Sequence, residues 1–218
     1  METFVGLSSL AQKLLISCGI LSPLLYLATD WLAGKLLKGY SFTAQSISEL
    51  SAAGSPTRSL VVSLTLVAGL FMIAFGIGVW QVIGQTFLPR IVSGLVIGNV
   101  IAGLVATIFF PNRFGERPVF GSPGVLLMFF SVLLFILAMV IGAMAFSGWF
   151  RIVSIAIPLT YILLAILRFA TSSTGENILL VGAQERTMSY SFLIWVMALA
   201  IYLLMLITKG MDSANGIG

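Results

Sequence analysis

Apolar residues fall along this chain in six long blocks separated by polar stretches, without the strict alternation of outer-membrane strands. Several blocks reach the roughly 20 residues that cross a bilayer as a helix. Lipid offers backbone groups no partner outside the segment, so the blocks predict helices at about 12–37, 56–84, 89–110, 123–146, 149–170 and 187–208. Punctuation supports the boundaries. Ser55-Pro56 and Ser122-Pro123 each supply an N-cap followed by a proline at the first helical position. Pro89 opens the third helix, Pro111 ends it, Ser147-Gly148 makes a short turn, and Pro158 predicts a kink in the fifth helix. The first block is long and lacks a small-residue cleavage site after it, so it reads as a retained helix. The expectation is an all-α, polytopic membrane protein: a six-transmembrane-helix bundle with a short interfacial helix after the first span. Residues 1–218 form one domain, multi-pass in the cell membrane, with both termini on one side.

Composition agrees. Of 218 residues, 59% are hydrophobic and 8% charged, too few charges to cover a soluble surface. The formal charge of +4 is scattered over short loops rather than gathered into a run, which argues against nucleic acid and leaves membrane lipids as the expected partners. No protein partner is indicated. A lone Cys18 in the first block allows no internal disulfide and reads as a small apolar side chain. The chain has no histidine, which removes the commonest haem and zinc ligand, so no metal or cofactor is expected.

Six spans divide the loops between two faces. Asp30, Glu49, Glu116, Glu176 and Glu185 fall on the face with the long loops, together with Lys35, Lys38, Arg58, Arg113, Arg117, Arg168 and Arg186. The other face holds Lys13, Arg90, Arg151 and Lys209. The literal tally places the long loops in the cytoplasm. Setting aside Arg58, Arg168 and Arg186 as members of a functional cluster leaves four bases on each face, and orientation open. No internal repeat of the kind many transporters carry is visible.

Asp30 lies inside an apolar run, where an ionised carboxylate is costly unless paired or wet, and Arg168 stands at equivalent depth on the fifth helix. The two either meet at the membrane boundary or snorkel separately. In the loop KGYSFTAQSISELSAAGSPTR, Ser46 and Glu49 have capping-box spacing, which predicts a short helix from about Ile47 to Ala53. Glu185 suits the start of the last helix on dipole grounds, whereas Arg186 does not and wants an anionic ligand or a partner acid. On the third helix Gly94, Gly98, Ala102, Gly103 and Ala106 form a small-residue packing face, and Asn99 can bond a neighbouring helix. Trp31, Trp80, Trp149 and Trp195 lie towards helix ends, as in an aromatic belt.

The stretch GYSFTAQSISELSAAGSPTR resembles a bacterial and archaeal membrane family known as domain of unknown function 998, with its Gly-Tyr, Ile-Ser-Glu-Leu and Gly-x-Pro series after the first helix. Pro23, Pro111-Asn112, Gly182, Glu185, Arg186 and Trp195 extend the resemblance over most of the chain. It implies six membrane helices, names no activity, and adds weight to Ser48, Glu49, Arg58, Glu185 and Arg186 as a shared site. One departure is that many members carry a histidine near the start of the fourth helix, where this chain reads VFGSPGVLLMFF.

Three functions fit these residues. The first is a charged pocket of Asp30, Ser48, Glu49, Arg58, Arg168, Glu185 and Arg186 that binds a polar headgroup, lipid or small ion. The second is an intramembrane hydrolase or transferase with Glu49 or Asp30 as base. The third is an accessory or structural subunit whose charges staple loops to helices.

Overall fold

A computed structural model describes residues 8–83, 86–116, 119–172 and 181–215, with the backbone alone for 164–172 and 210–215. The described residues form helices α1 (Ser9–Leu36), α2 (Ile47–Leu50), α3 (Arg58–Val82), α4 (Phe87–Phe109), α5 (Pro123–Ala145), α6 (Trp149–Ser172) and α7 (Val181–Asn215). Five of them, α1, α3, α4, α5 and the Val181–Lys209 part of α7, are long and apolar enough to cross a membrane. In α6 the apolar stretch Trp149–Leu163 is shorter.

Most boundaries follow local chemistry. Ser8 caps α1 by accepting the Ala11 N–H, and Ser122 with Pro123 opens α5. Pro89 sits in the first turn of α4 rather than opening it, a position where its missing N–H costs nothing because the first four amides have no helical partner. Ser55-Pro56 departs from expectation. It forms a turn in which the Arg58 N–H bonds Ser55 O at 3.1 Å, and the helix begins two residues later, at Arg58. Hydroxyl bonding accounts for the delay: Thr57 Oγ1 donates to Leu50 O at 2.9 Å and lies 3.0 Å from Ser55 Oγ, so the would-be cap is turned inward.

The long helices close a ring in which α1 packs on α3, α3 on α4, α4 on α5, α5 on α6, α6 on α7, and α7 returns to α1. Phe75, Met139, Phe150, Trp195 and Leu199 fill its centre. Trp195 therefore departs from the aromatic-belt expectation. It lies in the middle of α7, fully buried, with its indole N–H donated to Ser154 Oγ at 2.9 Å, because α7 starts six residues before the expected position 187. Trp31, Trp80 and Trp149 remain exposed.

Hydroxyls and amides fasten neighbouring helices. Ser22 Oγ donates to Ala68 O at 2.8 Å, Ser93 Oγ to Gly76 O at 2.6 Å, and Asn99 Nδ2 to Ser131 O at 2.8 Å. The small-residue face of α4 is divided: Gly98 meets Leu134 of α5, whereas nothing lies within 4 Å of a Cβ added at Gly94 or Gly103.

Candidate functional site

The site is built at the end of the bundle where α1 finishes and α7 begins. Arg186, in the second turn of α7, turns its guanidinium into the gap between α1 and the following loop and is 7% exposed. Its Nε–H donates to Asp30 Oδ2 at 2.9 Å and Nη2 to Asp30 Oδ1 at 2.8 Å, a bidentate pair with a carboxylate that is 3% exposed. Nη2 also donates to Tyr40 Oη at 2.7 Å. Nη1 reaches Phe42 O at 2.6 Å, Gln45 O at 3.1 Å and Gly182 O at 3.3 Å. An arginine has five N–H donors, and here six acceptors surround them. The cation also lies 4.8 Å from the Phe42 ring centroid and 5.5 Å from that of Tyr40.

The acid is equally engaged, since Tyr190 Oη donates to the Oδ2 that already accepts from Nε. Tyr40 relays the network onward by donating to Ser46 O at 2.7 Å. Burial pushes the Tyr40 phenol up to about 12, so it stays protonated and keeps that donor. The partner acid that Arg186 wanted on dipole grounds is thus Asp30. The side chain of Arg168, the other base considered for Asp30, lies outside the described residues.

Glu185 serves the same loop differently. Its Oε2 accepts the Ile47 N–H at 3.0 Å, so a carboxylate from α7 caps α2. The expected capping box is not formed: Ser46 makes no side-chain cap, its hydroxyl lies 3.0 Å from Ser48 Oγ, and Glu49 Oε2 accepts from Gln45 Nε2 at 2.8 Å. α2 stops at Leu50, before the expected Ala53, whose N–H is taken by Asn112 O at 2.7 Å.

Arg58 works elsewhere. It donates to Ser51 O through Nη1 and to Ile108 O at 3.3 Å through Nη2, and both Nη atoms approach Thr107 O, so the charge sits at the C-terminus of α4. Beside it, the Ala53 N–H bonds Asn112 O at 2.7 Å and the Phe114 N–H bonds Ala53 O at 3.0 Å, pairing the two long loops. The expected site residues therefore separate into the buried Asp30–Arg186 pair with the partly buried Glu185 beside it, the partly buried Ser48 and Glu49 on α2, and Arg58 near α4.

Sequence reasoning missed the residues that receive the loop. The Phe42 ring sits so close over Gly34 that a Cβ there would lie 2.4 Å from it, and a Cβ on Gly182 would lie 2.1 Å from Gln45 O. Glycine at those positions is what lets the loop backbone reach the guanidinium. Of these residues the sequence singles out Gly182 alone, and only as part of the family resemblance. Among the described residues no group of three cysteines or acids gathers that could hold a metal.

A ring of long apolar helices, with a polar loop pinned across one end by a buried ion pair, defines a multi-pass helical membrane protein. Residues 20–202 match the family described as protein of unknown function (DUF998), and the chain belongs to that family. No curated protein and no solved structure matches it significantly.

Proposed function

We propose that the chain is a structural or accessory protein of the cell membrane with six spans and both termini on one side, and that its charged cluster is a latch for the loop over one end of the bundle. The carrying observation is the saturation of Arg186, which has no N–H left to offer a ligand. An anion-binding arginine keeps part of its fork for the anion. A carboxylate base likewise needs an accessible lone pair near substrate, whereas Asp30 is buried with both oxygens engaged. Support for the sixth span comes from α6, whose 24 residues rise roughly 36 Å at 1.5 Å each, more than the ~30 Å of hydrocarbon.

The test is native mass spectrometry with thermal melting of the detergent-purified protein, comparing wild type with Glu49→Gln and Arg186→Gln. The latch predicts no adduct that depends on Arg186 and an earlier melt for Arg186→Gln. A small molecule held by wild type and lost from a still-folded Arg186→Gln would show a ligand pocket instead.

A further inference from the structure

Arg58 differs from Arg186 in one respect that matters for ligands. Among the described residues its hydrogen bonds all go to neutral carbonyls, no carboxylate pairs with its charge, and its Nε makes no hydrogen bond. It lines an open cleft of about 400 Å³ at the start of α3, with Ser55, Pro56, Ser59, Val62 and Ser63. Among the described residues no acid lines that cleft.

Ser59 and Ser63 stand one turn apart on the exposed side of α3. Their hydroxyls make no hydrogen bond with the described protein, whereas Thr29, Thr187, Ser191 and Thr208 each satisfy theirs on the carbonyl one turn back. In line below them, at spacings of three and four, come the exposed Leu66 and Leu70. From Ser59 to Leu70 the helix rises roughly 16 Å, about half the ~30 Å hydrocarbon thickness, which is the depth of one leaflet. Polar donors at the mouth and an apolar track one leaflet long match the two ends of a phospholipid.

We propose that this cleft binds an anionic phospholipid: the phosphate accepts from Arg58 Nε and the Ser59 and Ser63 hydroxyls, and one acyl chain lies along Leu66 and Leu70. The charge pattern sets the class. One cation without an accompanying acid complements a net-negative headgroup and offers nothing to the ammonium of a zwitterionic one. The residues proposed to hold the lipid, Arg58, Ser59, Ser63, Leu66 and Leu70, all lie on α3, and none is among the hydrogen-bond partners of Arg186.

Native mass spectrometry of the purified full chain, titrated with phosphatidylglycerol, phosphatidylcholine and separately inorganic phosphate, tests this. Wild type is expected to retain phosphatidylglycerol in preference to phosphatidylcholine by roughly fivefold, the effect of one base near an anionic surface. Ser59→Leu combined with Ser63→Leu fills the cleft without touching the carbonyl contacts of Arg58, and should remove the preference with no earlier melt. If that variant misfolds, Ser59→Ala with Ser63→Ala decides, and should lower phosphatidylglycerol retention measurably. Equal retention of the two lipids by wild type, or unchanged phosphatidylglycerol retention in the folded serine variants, overturns the site. Inorganic phosphate displacing the lipid assigns the cleft to a free anion and overturns the lipid assignment.

Discussion

Asp30 and Arg186 are each other's reason for being charged inside an apolar segment. Removing one member strands the other, and breaking such a pair costs about 3–5 kcal/mol. Asp30→Asn and Arg186→Gln should each melt well below wild type in detergent. The double variant should melt higher than the sum of the two losses predicts, because the second change removes a charge the first had orphaned. Additive losses would mean that the two residues act separately. Glycines give a sharper contrast. Gly182→Ala puts a methyl 2.1 Å from Gln45 O and should destabilise by about 1–3 kcal/mol, as overpacking does. Gly94→Ala meets nothing within 4 Å and should be neutral or stabilising by about 0.5–1 kcal/mol, the usual helical preference for alanine. Thermal melts of the two variants side by side check both.

At the scale of elements, α2 and the start of α7 depend on each other. Four residues make a helix too short to hold itself, and its first amide is satisfied by Glu185. Glu185→Ala should cost ~1 kcal/mol, in the range of a lost cap, and Glu185→Gln less because an acceptor oxygen remains. Equal losses in calorimetry would assign the effect to charge rather than to capping. The same element shows where sequence reading stops. Ser46 and Glu49 have capping-box spacing, and a local rule can weigh only local partners. The carboxylate that caps α2 arrives from 138 residues away. The expected start of the last helix falls late for a related reason: Glu185 and Arg186 read as its first residues, and only Ile47 and Asp30, distant in sequence, satisfy them a turn inside the helix. Arg58 was legible as a base near a site, but its place against the C-terminal carbonyls of α4 depends on a loop crossing that spacing does not encode.

For the whole molecule, the long apolar helices were legible because lipid leaves the backbone few alternatives, and length with hydropathy is then nearly sufficient. Which helices neighbour each other, and that Trp195 lies in the core while Trp31 faces outward, depends on rotation about each helix axis, which an all-round apolar segment does not specify. The six spans proposed here predict that reporters fused at the two ends report the same side of the membrane; opposite sides would require an odd number of crossings. In the latch proposed here, buried charge holds the loop down over the bundle. Amide hydrogen exchange of wild type and Arg186→Gln in lipid nanodiscs measures it directly. Backbone amides of residues 40–57 should be protected in wild type and lose that protection in the variant while α3, α4 and α5 keep theirs. Unchanged protection in a folded Arg186→Gln, or a wild-type loop that already exchanges freely, would contradict the latch.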